Sequence, residues 1–217
     1  MNEVFGSAAL KMAYKYLDSN PEKNAPKLMK MVDKLDADDS MKGQRDAVRR
    51  VLEDKQGNWY KLLLSVWDDI DPGVRKALFQ NFVINATAIG GQRQQKLQEE
   101  YACNVPWAIL MDPTSACNLH CVGCWAAEYG NRMNMSLDTL DRIVQQGTEL
   151  GVYFYVLSGG EPLVRKKDVI TLCERHPDCF FTAFTNGTLI DEAFADEMLR
   201  VQNFAPAISI EGFDEAT

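Results

Sequence analysis

The 217-residue chain has no run of 18 or more apolar residues, so no segment reads as a membrane-spanning helix. Its start, residues 1–17, is interrupted by Glu3, Lys11 and Lys15 and lacks the long apolar centre and small-residue cleavage site of a secretory signal. Those two absences predict a cytoplasmic protein whose thiols stay reduced. Internal repeats and low-complexity tracts are also missing. Positive charge is scarce where a nucleic-acid surface would need it. Residues 1–104 carry 16 basic and 15 acidic side chains, whereas residues 105–217 carry only 7 basic against 16 acidic. What is present is an ordinary globular balance, 46% hydrophobic and 25% charged, which excludes a wholly disordered chain. The length suits one large or two small domains.

The break in charge coincides with a break in pattern. Residues 1–104 read as a helical domain. Asp71-Pro72 is a helix start, an N-cap carboxylate before proline at the first helical position. Val74, Leu78, Phe82, Ala86 and Ile89 then share one helical face, and Gly90-Gly91 is expected to end it. Ser19-Asn20-Pro21 and Asp38-Asp39-Ser40 mark earlier boundaries around a stripe of Leu28, Met31, Val32 and Leu35. Trp59, Leu62, Leu63, Val66 and Trp67 form a further apolar set, expected to face a small helical core.

Residues 105–217 alternate strand and helix. Strands are expected at 107–111, 152–157, 180–185 and 207–211, the second reading as buried on both faces. Ser136 should cap one helix, with Gly151 just beyond its end; a short helix is expected at 168–175, and Asp191 should cap a third running to Arg200. This alternation means a parallel α/β sheet, in which ligands bind at the carboxyl ends of the strands. All four ends carry unusual chemistry. They run into Cys117, Cys121 and Cys124; Ser158-Gly159-Gly160-Glu161-Pro162; Asn186-Gly187; and Ser209 with Glu211.

Three thiols spaced C-x3-C-x2-C on one loop can wrap a single metal centre. A zinc site would want a fourth ligand, and His120 sits awkwardly beside Cys121. A dithiol redox pair of Cys121 and Cys124 leaves Cys117 unexplained. Bacterial ferredoxin loops supply a fourth cysteine, which this loop lacks. Three thiolates on a four-iron cluster would leave one iron open to a ligand. The remaining cysteines, Cys103, Cys173 and Cys179, read as buried free thiols that behave as small apolar residues. Arg165, Lys166 and Lys167 read as a solvated helix start.

Cys117-Asn118-Leu119-His120-Cys121-Val122-Gly123-Cys124, followed on the next strand end by Gly159-Gly160-Glu161-Pro162, resembles the radical S-adenosylmethionine (radical SAM) superfamily. The resemblance covers about residues 105–217. It implies a partial (β/α) barrel preceded by the all-helical domain, with about four of the usual six βα units present. It further implies that Cys117, Cys121 and Cys124 hold a 4Fe–4S cluster whose open iron binds S-adenosylmethionine. Reductive cleavage would then give a 5′-deoxyadenosyl radical that takes a hydrogen atom from an unidentified substrate. A low-potential electron donor such as a flavodoxin or ferredoxin is the implied partner. Gly159, Gly160, Glu161 and Pro162 are expected at the cofactor, the glycines for close backbone approach and Glu161 as an acceptor. Asn186, Ser209 and Glu211 are further candidates. The family's aromatic residue before the third cysteine is replaced here by Gly123, which leaves Trp125 as the candidate for covering adenine. With four strands rather than six, the chain reads as the N-terminal portion of a longer enzyme.

Overall fold

The structure, a computed structural model, describes residues 3–35, 39, 42–124, 126, 130, 132–210 and 212. The chain divides into two compact units, Met1–Arg75 and Lys76–Thr217. In the first lie α1 (Glu3–Ser19), α2 (Pro21–Leu35), α3 (Lys42–Glu53) and α4 (Asn58–Asp68). Asn20 starts α2 by accepting from the Lys23 amide at 3.0 Å. Buried Arg75 donates to Asp18 at 3.0 Å and to the Ile70 carbonyl at 3.0 Å, closing the C-terminal end of α4. The apolar set on α4 divides differently from expectation. Trp59 and Leu62 are 72% and 58% exposed, and the inward face is Tyr60, Leu63, Leu64 and Trp67. Seven large apolar residues within nine positions leave no clear polar side, so the phase of such a helix cannot be read from its pattern.

The boundary between units falls well before residue 104. Helix α5 (Pro72–Leu78) begins at the Asp71 cap, whose carboxylate accepts from the Gly73 and Val74 amides. It is followed by a π-helix over Phe79–Ile89 and by α6 (Gly90–Tyr101). Gly90-Gly91 therefore does not stop the helix, contrary to expectation. A Cβ on Gly90 would lie 2.2 Å from the Gly151 carbonyl oxygen, so this glycine serves close packing rather than termination. Gln94 donates to the same carbonyl at 2.7 Å.

The second unit is built on a four-stranded parallel sheet in the order β1 (Ala108–Thr114), β2 (Phe154–Gly159), β3 (Phe180–Thr185) and β4 (Phe204–Ile208). Between them run α7 (Leu137–Glu149), α8 (Lys166–Arg175) and α9 (Glu192–Val201). Ser136 and Asp191 cap α7 and α9 as expected, accepting from the Thr139 and Phe194 amides. Each such cap stabilises its helix by about 1 kcal/mol. Strand β4 starts three residues before its expected position. Pro206 argues against a strand in sequence, yet it is tolerated here because β4 pairs only with β3 among the described residues.

One face of the sheet is packed against the helices through Met111, Tyr155, Leu157, Phe181 and Ala183. The other face is more open among the described residues: Leu110, Phe184 and Ile208 are each at least half exposed, and Phe154, Val156 and Ser158 of β2 are only half-buried, so β2 is fully covered on one side alone. At the amino ends of the strands, Phe82 of the π-helix packs edge-on against Trp107, Phe154 and Phe180 at 5.6, 5.2 and 6.1 Å. Asn81 and Asn85 donate to the carbonyls of Pro177, Asp178 and Cys179 that lead into β3. That end is sealed, which leaves the carboxyl ends for a ligand. No helix among the described residues is long and apolar enough to cross a membrane.

Candidate functional site

Two cavities lie side by side at the carboxyl ends of β1 and β2. One, of about 300 Å³, is lined by Cys117, Cys121 and Cys124 together with His120, Ser115 and Gly160. The other, of about 330 Å³, is lined by Asp112, Thr114, Met133, Asn134, Gly159 and Gly160. Ser115, Ala126 and Gly160 belong to both. Each lies at the lower end of the range for small-molecule pockets. The three sulfurs face one space without closing on a single-ion site among the described residues. Cys117 accepts weakly from the Leu119 amide at 3.4 Å, and the Cys124 amide donates to the Cys121 carbonyl at 3.3 Å, which curls the loop tip. Gly123 completes that curl with φ +76°, a conformation an aromatic residue would adopt only under strain. Val122 stands fully exposed at the tip, and His120 is exposed beside it.

The paired glycines owe their close approach to the protein itself. A Cβ on Gly159 would lie 2.5 Å from the Thr114 carbonyl oxygen, and one on Gly160 would lie 2.3 Å from that of Ala116. Their backbone is stitched to the start of the cysteine loop. The Gly160 amide donates to Thr114 at 3.0 Å and the Glu161 amide to Ala116 at 2.8 Å. Glu161 is 1% exposed and its carboxylate faces inward, toward protein donors. It accepts from the Leu163 amide at 2.9 Å, the Thr185 hydroxyl at 2.7 Å and the Asn186 amide at 2.8 Å. The acceptor expected at the cofactor ties the end of β2 to the end of β3. Pro162, buried, opens the 3₁₀ turn Pro162–Arg165 that follows.

Asn186 reaches the cysteine loop. Its side chain donates to Asn118 at 3.0 Å, and Asn118 donates in turn to Thr188 at 2.8 Å. The turn after β3 thereby holds the segment between Cys117 and Cys121. Ser209 is exposed beyond β4, its amide donating to the Thr185 carbonyl at 2.9 Å. Trp125 and Glu211 lie outside the described residues. Cys103 is exposed, contrary to expectation, whereas Cys173 and Cys179 are buried among apolar neighbours, and burial pushes both of these thiols upward, Cys179 to about 12. His176 faces Asp141 at 2.8 Å.

Sequence reasoning missed three contributors, Asn118, Thr188 and Arg165. Arg165 is not a solvated cation. Its Nη1 donates to the carbonyls of Pro113 and Met135, while Asp168 accepts from Nε at 2.8 Å and from Nη2 at 2.6 Å. Lys166 pairs with Asp191 at 2.6 Å, and Lys167 is exposed. The signal for Asn118 was its position inside the cysteine spacing; nothing local marked the carbonyls that Arg165 would find.

Four consecutive parallel strands joined by three helices, with a tri-cysteine loop and a glycine-rich turn at the carboxyl ends, define a domain of the partial α/β barrel class. Residues 111–217 match the family model for the radical SAM superfamily and form a radical SAM domain. Among curated relatives, it is 33% identical over 99 residues to the PqqA peptide cyclase of Granulibacter bethesdensis, covering 44% of this chain and 26% of that one. It is 28% identical over 118 residues to the AdoMet-dependent heme synthase of Methanosarcina barkeri, covering 52% of this chain and 34% of that one. The chain thus spans between a quarter and about a third of the length of these relatives. A solved structure of Streptococcus suis SuiB bound to its precursor peptide SuiA is similar at 21% identity and a TM-score of 0.48. It covers 61% of this chain and 31% of SuiB.

Proposed function

We propose that the protein is a radical SAM enzyme, with Cys117, Cys121 and Cys124 as the ligands of a 4Fe–4S cluster and the adjoining cavity as the S-adenosylmethionine site. The observation that carries this reading is the convergence of three thiols on one cavity that shares Ser115, Ala126 and Gly160 with a second. Three soft donors and no fourth cysteine on the loop fit a four-iron cluster with one iron left for a ligand. When bound, the cluster and S-adenosylmethionine supply a 5′-deoxyadenosyl radical able to take a hydrogen atom from an organic substrate. The chain's own part is positional. Gly159 and Gly160 bring the second strand end against the cysteine loop and form a wall of both cavities. Glu161 holds the ends of β2 and β3 at a fixed distance through three accepted bonds. Asn186 and Thr188 hold Asn118, and with it the loop between the first two thiols. Asn186 therefore acts on the loop more than on the cofactor. Ser209, Glu211 and Trp125 are carried as further candidates for binding S-adenosylmethionine on the family resemblance alone. A flavodoxin or ferredoxin would deliver the electron.

The test is anaerobic reconstitution with iron and sulfide, reduction in the presence of S-adenosylmethionine, and chromatography for 5′-deoxyadenosine. Product is expected from the parent chain and not from Cys117→Ala. A reducible cluster that leaves S-adenosylmethionine intact would overturn the reading for this chain.

A further inference from the structure

The cysteine loop leaves the sheet at the end of β1 and returns at the start of α7, and its two limbs meet in a narrow neck. Thr114 and Asn134 form an isolated antiparallel bridge, the Ser115 amide donates to the Met133 carbonyl at 2.9 Å, and the Met135 amide donates to Pro113 at 3.0 Å. Side chains add to the closure: the Thr114 hydroxyl meets Asn134 at 2.6 Å, and the Met133 amide donates to the Ser115 hydroxyl at 3.1 Å. The same residues form a wall of the second cavity.

Arg165 sits across that neck from a different βα unit. One nitrogen, Nη1, donates to Pro113 on the outgoing limb and to Met135 on the returning limb. Its other edge is held by a single carboxylate oxygen of Asp168 on the first turn of α8. The Arg165 side chain is 17% exposed, so water competes little for these bonds. The geometry points to Arg165 as a positioning residue that clasps both limbs of the cysteine loop and so fixes the thiols relative to the cofactor cavity. A planar group with donors diverging at fixed angles suits this task. A lysine ammonium is a point charge on a flexible stem and cannot hold two carbonyls and a carboxylate in one plane. The clasp rests on the radical SAM reading only where it concerns the cofactor; the closure of the neck stands without it.

The experiment uses the full chain with Arg165→Lys and Arg165→Ala beside the parent, and has two arms. In the iron-free chain, hydrogen exchange is followed by mass spectrometry over residues 113–116 and 132–136, with β3 and α9 as internal controls. Exchange in the neck is expected to rise by about tenfold in both variants, the factor for losing one or two net hydrogen bonds, with the controls unchanged. In the reconstituted chain, iron release to a chelator is expected to be faster in both variants at an unaltered unfolding midpoint. Millimolar guanidinium should slow it again in Arg165→Ala, which leaves a hole of that shape. Neck exchange equal to the parent's in a folded Arg165→Lys overturns the clasp. Should the parent itself take up no cluster, the proposed function fails while the exchange arm still decides the clasp.

Discussion

At the scale of single residues, Glu161 shows how a motif residue can serve the fold itself. Its two oxygens meet two backbone amides and one hydroxyl inside the protein. Glu161→Gln replaces one acceptor by an NH₂ group. Whichever way the amide is turned, either the Leu163 or the Asn186 N–H then faces a donor, because the two use opposite oxygens. A buried amide left without an acceptor destabilises by about 1–3 kcal/mol. Urea unfolding should show a loss of that size in the iron-free chain. An unchanged midpoint would mean that the network contributes nothing to the fold. The motif was legible in sequence and this use of it was not. Sequence names a carboxylate beside a glycine pair, but two of its three donors are 24 and 25 residues downstream, at the end of another strand.

Among the elements, those with strong local signals fell where expected. Helix α7 and helix α9 have side-chain caps and amphipathic spacing, and β3 has the bounds its pattern implies. Errors came where a local rule met a tertiary constraint. Gly90-Gly91 satisfies the rule for a helix end, but the chain needs the first glycine for the approach of the Gly151 carbonyl. The two positions therefore respond oppositely to the same change. Gly90→Ala forces a methyl group into backbone and should destabilise by about 1–3 kcal/mol. Gly91→Ala meets nothing within 4 Å and should stabilise by about 0.5–1 kcal/mol through lower chain entropy. Paired chemical denaturation of the two variants checks both signs. The candidate site was legible as a set of strand ends, since parallel topology brings these together whatever the loop details. The loop-to-loop bonds of Asn118, Thr188 and Arg165 were not, because they depend on how far apart the strand ends stand.

For the whole molecule, the buried thiols make stability depend on alkaline pH. Desolvation raises Cys173 and Cys179 above the ordinary thiol value, and burial raises the Tyr155 phenol in the same sense. Below about pH 8.5 both thiols are protonated in the folded and unfolded chains alike, and their contribution is fully present. Above that value the unfolded thiols ionise while the folded ones keep their protons. The unfolded chain then binds fewer protons, and unfolding free energy falls by about 1.4 kcal/mol per pH unit for each thiol until the folded groups titrate. Urea midpoints under reducing conditions should hold steady between pH 7 and 8 and drop between pH 9 and 11. A profile flat to pH 11 would contradict the burial of these groups. The seal at the amino ends of the strands has a consequence in time. Asn81 finds its carbonyl partners 96 and 98 residues further along the chain. During synthesis at about 5–20 residues per second, the π-helix and its Phe82 emerge roughly 5–20 s before the β3 segment that completes their cover. Through that interval a nascent chain carries an incompletely covered aromatic side chain near its exit, a natural place for a chaperone to take hold.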